Sequence, residues 1–363
     1  MEYPNREQLY KRLASVPREL ELMATEIATK SGQWIGGASL SPQILDRLKK
    51  SSLITSAGAS TRIEGSALTD DEIRAMIGGL KWTQMKDRDE QEVRGYYELL
   101  SFIYDNYSNI EVTENNILEF HTRLLKYSSK DERHKGAYKK LENNVQARDA
   151  DGNARAVLFE TSTAFETPEY MRELIGWYGE AINDPKYHKI IVIAAFIVQF
   201  LKIHPFQDGN GRLSRILTDL LLLKAGYEYI PYVSLDRIVE NNKAEYYIAL
   251  RGSQVTFGTH HESVEKWVRF FLEISLKQAD EALSLLHVSR LEQDLSGNQR
   301  KVWEYFKEHG DEEISVRLLE SETGVNRETI KQALDKLMVL KLIERFGAGR
   351  STAYRVNYNI LND

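Results

Sequence analysis

The chain contains no cysteine. That absence excludes disulfides, thiolate zinc sites and cysteine nucleophiles together. No apolar run reaches membrane-spanning length, and Ile190 to Leu201 is too short to cross a bilayer. Met1-Glu2-Tyr3-Pro4-Asn5-Arg6 lacks a signal-peptide pattern, so the sequence reads as a cytoplasmic protein with no membrane partner. Positive charge is not in excess either. The net charge of −6 argues against general nucleic-acid affinity for the whole chain, though not for one patch. The 363 residues, 42% of them hydrophobic, leave room for two or three domains and a real core.

One stretch organises the rest: His204-Pro205-Phe206-Gln207-Asp208-Gly209-Asn210-Gly211-Arg212-Leu213-Ser214-Arg215. Upstream, Ile190 to Leu201 is apolar nearly all round and reads as a buried helix. Pro205 disfavours helical geometry at His204, so that helix stops there. Downstream, Leu213, Ile216, Leu217, Leu220 and Leu221 recur at helical spacing, so a second core-facing helix begins near Asn210 or Gly211.

The polar residues between the two helices each suit a chemical task. Free N–H groups and the positive end of the helix dipole make an anion site. Gly209 and Gly211 let the backbone approach a phosphate. Arg212 and Arg215, three apart, can lean over one helix face and grip phosphate oxygens. Asp208 is a hard carboxylate suited to a magnesium ion already bound to phosphates. His204 can take a proton near neutral pH. Taken singly these are a helix stop, a turn and a solvated face; gathered in one loop, they describe a nucleotide site with a general base.

The stretch resembles the Fic family pattern His-x-Phe-x-(Asp/Glu)-Gly-Asn-Gly-Arg-x-x-Arg at every fixed position. The resemblance implies AMP transfer from ATP to a Ser, Thr or Tyr hydroxyl of a target protein. It casts His204 as the base and Asp208 as the Mg2+ ligand. Asn210 and the Gly209 and Gly211 amides would hold the α-phosphate region, and Arg212 and Arg215 the distal phosphates. Phe206 would anchor the loop to the core.

Two further segments resemble parts of that family. Ser60, Glu64 and Gly65 fit its (Ser/Thr)-x-x-x-Glu-(Gly/Asn) inhibitory motif. As physics, Ser60 and Glu64 share one helix face and Gly65 suits the left-handed position that ends a helix. The resemblance implies that Glu64 pairs with Arg215 in the place of the ATP γ-phosphate, and it allows the reverse reaction, removal of AMP. Between Gly136 and Thr163, two strand-like runs flank Asp149-Ala150-Asp151-Gly152-Asn153, whose Asp-Gly signals a hairpin. In Fic proteins a flap lies here and pairs with the target's backbone. The family often carries arginine after Gly-x-Tyr at its start, where this chain has Gly136-Ala137-Tyr138-Lys139. Tyr247, in Tyr-Tyr-x-Ala-Leu, is the candidate for the adenine pocket, although those tyrosines equally suit packing in an amphipathic helix. His121 and His134 read as structural or surface residues.

Residues 299–363 read as helix, helix, a turn at Gly324, a helix capped by Asn326, then two strands about Gly347-Ala348-Gly349. This resembles a winged helix-turn-helix. Residues 324–363 carry Arg327, Lys331, Lys336, Lys341, Arg345, Arg350 and Arg355, which suits DNA contact, while many winged helices bind proteins.

The expected fold is mainly α: a helical Fic core with a β-hairpin flap and a C-terminal winged helix-turn-helix. The expected division is an N-terminal helical region (1–110, inhibitory helix at about 52–65), a catalytic domain (111–292), a linker (293–298) and the winged helix (299–363). The expected function is an ATP- and Mg2+-dependent protein adenylyltransferase held in check by Glu64. The alternative is a DNA-binding regulator whose Fic core senses nucleotide. The partners this reading allows are a target protein on the flap 136–163, DNA or protein at the winged helix, and a second copy of the chain.

Overall fold

The computed structural model describes residues 6–37, 40–77, 87–143, 145–148, 154–159, 161–293, 295–309, 313–340, 342–347 and 352–356, with backbone alone at 145–148, 154–159 and 287–293. The fold is mainly α, as the sequence indicates. Contacts divide the chain into two compact units, residues 1–32 with 43–279 and residues 33–42 with 280–363.

The larger unit contains α1 (Arg6–Ala14), most of α2 (Arg18–Gly37), α3 (Pro42–Ile63), α4 (Asp70–Ala75), α5 (Arg88–Asn106) and α6 (Glu114–Leu124). The hairpin β1 (Val145–Arg148) and β2 (Ala154–Phe159) follows. Then come α7 (Thr167–Ala181), α8 (Lys189–Ile203), α9 (Asn210–Lys224), α10 (Leu235–Asn241) and α11 (Lys243–Gln254), and α12 (Glu265–Gln293) begins.

Its centre is α8. From Ile190 to Ile203 only Lys202 escapes burial, and each fully buried aliphatic side chain contributes about 2 kcal/mol. Helices α7 and α9 pack on either side of it. Two helix starts in this unit are capped by threonine side chains. Thr69 caps α4 in a capping box with Glu72, and Thr113 caps α6 by accepting from the Asn116 N–H. Strands β1 and β2 pair antiparallel, Val145 opposite Phe159 and Arg148 opposite Ala154, with two register irregularities. The expected turn at 149–153 lies outside the described residues.

In the smaller unit, α13 (Gly297–Glu308), α14 (Val316–Thr323) and α15 (Arg327–Val339) enclose Val302, Trp303, Phe306, Leu319, Ile330 and Leu334. Gly324 ends α14 at φ 65°, and the Asn326 side chain caps α15 by accepting from the Thr329 N–H. Strands β3 (Ile343–Phe346) and β4 (Ala353–Val356) pair antiparallel, and Ile314 adds a bridge to Tyr354. Two basic residues expected to offer their charge are engaged locally: Arg355 meets Glu344 at 3.4 Å and Lys331 meets Glu328 at 3.7 Å. Lys341, Arg350, Ala348 and Gly349 lie outside the described residues. The expected linker is shorter than the sequence indicates, because α12 runs to Gln293 and α13 starts at Gly297.

Candidate active site

The loop between α8 and α9 begins with strain. His204 closes α8 at φ 53°, ψ 61°, and it is the one non-glycine residue with positive φ among the described residues. An L-residue in that region costs about 1–2 kcal/mol, so the surroundings must hold it there. Pro205 supplies part of the reason, since it bars helical geometry at the residue before it. Burial, then the neighbouring Lys139 cation, lowers the His204 imidazole pKa to about 4, against the Leu201 carbonyl, Glu64 and Asp208. At neutral pH the ring is therefore neutral and able to accept a proton.

Phe206 is fully buried and stacks on His121 at 3.8 Å between ring centroids. His121 proves structural. Its Nδ1 accepts from the Gly136 N–H at 3.1 Å, which leaves the proton on Nε2 to donate to the Asp208 carbonyl at 3.0 Å. Burial pushes its pKa down to about 4, which keeps this neutral arrangement.

Gly209, at φ 82°, precedes α9, whose N-terminus faces the loop. Asn210 turns inward. Its amide donates to the Phe206 carbonyl at 2.7 Å, and its Oδ1 accepts from the Phe206 N–H at 2.9 Å. The side chain thus fixes the loop's shape. Asp208 accepts from the Gly209 N–H at 2.6 Å and meets Arg212 at 3.2 Å and Arg88 at 3.4 Å. Burial opposes its charge, but Arg212, that N–H and Arg88 together hold the carboxylate below its usual range.

The two arginines separate. Three residues on an α-helix leave side chains about 60° apart, enough to send them to different neighbours. Arg212, 2% exposed, meets Glu92 of α5 at 2.9 Å and Asp208. Arg215 turns to α3: its Nε donates to Ser60 Oγ at 2.7 Å, and its Nη2 donates to the Ser60 carbonyl and to Glu64 Oε1, each at 2.9 Å. Its remaining nitrogen, Nη1, is buried and has no hydrogen-bond partner among the described residues.

Helix α3 can come this close because Ser56-Ala57-Gly58-Ala59-Ser60 are small and all buried. It ends as the sequence indicates: the Ser66 N–H reaches back to the Thr61 carbonyl, and Gly65 takes φ 108°. Glu64 then overhangs the start of α9. A Cβ built on Gly211 would stand 2.3 Å from Glu64 Oε1 and 3.4 Å from Arg215 Nη1. A carboxylate thus stands beside the first turn of α9, where the helix dipole favours negative charge.

Behind Arg215 lies a buried acid pair that the sequence reading missed. Asp236 Oδ1 is 3.4 Å from Arg215 Nε, and both its oxygens accept from the Tyr96 hydroxyl at 3.0–3.1 Å. Asp219 accepts from the Tyr104 hydroxyl at 2.6 Å. Burial and then mutual repulsion raise Asp219, and burial raises Asp236 to about 6 against the pull of Arg215. Both acids border a cavity of about 20 Å3, room for one water, shared with Ser214, Arg215, Thr218 and Tyr246. Burial opposes the Arg215 charge, but Glu64, Tyr246 and Asp236 outweigh it and the pKa rises. Tyr247 is partly buried, its pKa raised by burial and by Glu64, and its ring lies edge-on to Tyr246 at 5.1 Å. The structure thus brings His204, Asp208, Gly211, Arg215, Ser60 and Glu64 to one place. Tyr247 stands within reach of Glu64's charge.

Residues 111–222 match the model of the Fic/DOC family. The chain is 27% identical over 239 residues to the protein adenylyltransferase Fic of Drosophila willistoni, covering 65% of this chain and 43% of that protein. With the Drosophila erecta protein of the same name it shares 25% identity, over 74% of this chain and 50% of the relative. It thus spans about half the length of the curated relatives it matches. Among solved structures, a Fic family protein from Desulfovibrio desulfuricans G20 superposes with a TM-score of 0.59 at 22% identity, covering 92% of this chain and 95% of that one. Fic-1 of C. elegans does so with a TM-score of 0.56 at 20% identity, over 75% of this chain and 74% of the other. His204, Asp208 and Arg215 all lie within the segment that matches the Fic/DOC family model.

Proposed function

We propose that this protein is a protein adenylyltransferase that moves AMP from ATP to a Ser, Thr or Tyr hydroxyl of a target protein, and that Glu64 holds it in check. The observation that carries the reading is the seat of the Glu64 carboxylate, over Gly211 at the α9 N-terminus and paired with Arg215 at 2.9 Å. A phosphate of ATP seeks the same donors, so the two compete for one place. The names of the Drosophila relatives support the class of reaction.

In the reaction, the target hydroxyl oxygen forms a bond to the α-phosphorus while the bond from that phosphorus to the bridging oxygen breaks. Pyrophosphate leaves, and His204 takes the hydroxyl proton. The neutral imidazole suits that step. The α9 N-terminus and Arg215 would hold phosphate charge, with the unpartnered Nη1 ready as a donor. Arg212 acts indirectly, fixing Asp208.

Asp208 fits Mg2+. It is a single, partly exposed carboxylate beside the anion site, and Mg2+ takes one or two carboxylates along with substrate phosphates. Among the described residues, no group of three or more His, Asp or Glu could cage a metal by itself, so the ion would arrive with the nucleotide. When bound it would neutralise phosphate charge. With Glu64 in place, the same pocket could instead position a water for removal of AMP.

No described helix is long and apolar enough to cross a membrane. The hairpin β1–β2 would dock the target by strand pairing, and the three helices and hairpin at 297–356 would act as a winged helix. Labelling with α-labelled ATP and Mg2+ tests the reading. Glu64→Gly should label itself or a lysate protein strongly, wild type weakly, and Glu64→Gly with His204→Ala not at all. Label in the double variant would overturn the base assignment. Nucleotide binding without label in any form would favour the alternative, a DNA-binding regulator that senses nucleotide.

A further inference from the structure

The strained His204 is gripped from both sides by one residue outside the motif. Lys139 lies at the foot of the hairpin and is 3% exposed. Its backbone N–H donates to the Pro205 carbonyl at 2.9 Å, and its Nζ donates to the Ile203 carbonyl at 3.1 Å. Those carbonyls belong to the residues immediately before and after His204. The same Nζ also donates to Asn143 Oδ1 at 2.9 Å and to Thr161 Oγ1 at 3.0 Å. Asn143 stands just before β1 and Thr161 just after β2, so the ammonium joins the two stalks of the hairpin. Asn143 returns to the loop, its amide donating to the Phe206 carbonyl at 2.6 Å.

These acceptors are all neutral, which is an unusual setting for a buried ammonium. Glu142 and Glu166 favour its charge, but burial outweighs them and brings the pKa down to about 8. A buried cation held this way fits a need for three directed donors at one point. Residues in sparsely populated backbone regions persist only where their surroundings over-determine them.

We propose that Lys139 is the positioning residue for His204. It clamps the peptide on both sides of the strained histidine and ties it to both stalks of the hairpin, so that target docking and presentation of the imidazole are mechanically one event. The inference rests on His204 being the base of the proposed reaction, and its tests separate the two claims. The charged groups that act on the His204 ring are Lys139, which disfavours its protonation, and Glu64 and Asp208, which favour it.

The first test is kinetic, in the Glu64→Gly background. Lys139→Met should lower turnover at saturating ATP by about 100-fold, the cost of a base displaced by about an ångström, with the ATP KM changed by less than about twofold. Unchanged turnover, or a loss carried by the ATP KM, would overturn the proposal. Thr161→Val frees one stalk and leaves the lysine in place. It should lower the same parameter by roughly tenfold, and it decides the matter if Lys139→Met does not fold; turnover within about twofold of the parent would count against the clamp.

The second test needs no transfer at all. In nucleotide-free, magnesium-free protein, the His204 ring titration is followed by NMR and identified by its loss in His204→Ala. Lys139→Met should move its midpoint upward, because the ring loses an adjacent cation and the loop loosens toward water; an unmoved midpoint overturns the proposal. If Glu64→Gly itself shows no labelling, the transferase reading fails and this titration still decides the role of Lys139.

Discussion

Glu64 Oε1 lies 2.9 Å from Arg215 Nη2, across 151 positions of sequence, and covers the face of Gly211 where a side chain would otherwise stand. Two influences hold it there, charge and shape, and a substitution can separate them. Glu64→Gln keeps the length and an oxygen for Nη2 but removes the charge. A charge-assisted hydrogen bond contributes about 1.5–3 kcal/mol. With the Glu64 side chain 35% exposed, screening reduces that, so release by roughly tenfold is expected. Initial labelling rates over a range of ATP concentrations should therefore place Glu64→Gln between wild type and Glu64→Gly. Labelling as slow as wild type would make the brake a matter of shape.

Arg215 also holds the buried Asp236. Its removal leaves Asp236 buried with Tyr96 as a donor but no cation within contact among the described residues. Breaking a buried pair on one side costs about 3 kcal/mol or more; protonation of Asp236 should keep Arg215→Met near the lower end. Urea unfolding at pH 7.5 measures it. Arg88→Met is the contrast, because Arg88 is half exposed and its ion pairs should contribute less than about 1 kcal/mol. Equal losses would mean that Asp236 is well served without Arg215.

The loop 204–215 was legible in the sequence because its signals are local. Pro205 stops one helix, the apolar spacing from Leu213 starts the next, and the polar residues fall between. Ser60 and Glu64 were legible through the motif they resemble, whose i,i+4 spacing puts them on one face, and Arg215 donates to both. What the sequence hid depends on packing between helices. Nothing local links Asp219 of α9 to Asp236 of α10, or either to Tyr96 and Tyr104 of α5. Nothing local links Arg212 to Glu92 of α5 either. The inward turn of Asn210 onto the Phe206 carbonyl was not read from the sequence. Lys139 stood out only as a departure from a pattern, and three of its four contacts, with Thr161, Ile203 and Pro205, come from distant segments.

The acid pair gives stability a pH signature. Both folded-state pKa values lie above those of an unfolded chain, Asp236 at about 6 and Asp219 above its usual range. A raised carboxyl contributes stability that is fully present below the unfolded pKa, near 3.9, and lost as pH rises through the folded pKa. Asp219→Asn removes one acid and relieves its neighbour, while an amide oxygen can still accept from Tyr104. The stability of wild type minus that of Asp219→Asn should therefore fall as pH rises from about 4 through 6 and beyond. The slope of that difference is the test, because the packing of the new amide shifts the curves by a constant. A flat difference between pH 4 and 8 would show that the folded state does not raise these carboxyl pKa values.

Glycine substitutions distinguish close helix crossings from open surface. A Cβ on Gly95 of α5 would stand 2.0 Å from the Leu124 carbonyl oxygen at the end of α6. That atom is backbone, so it cannot rotate away. Replacing a helical glycine with alanine ordinarily stabilises by about 1 kcal/mol. Here the clash must part α5 from α6, and overpacking of this kind costs about 3 kcal/mol. The sign therefore reverses. Gly179 of α7 has nothing within 4 Å of its would-be Cβ, so Gly179→Ala should raise the melting temperature while Gly95→Ala lowers it. The damage at Gly95 should reach the site, because α6 carries His121, whose Nε2 holds the Asp208 carbonyl. Gly95→Ala should accordingly weaken Mg2+-dependent ATP binding, measured by calorimetry at a temperature where the variant remains folded, whereas Gly179→Ala should bind as wild type does. A stabilised Gly95→Ala would mean that the α5–α6 crossing is looser than the structure shows.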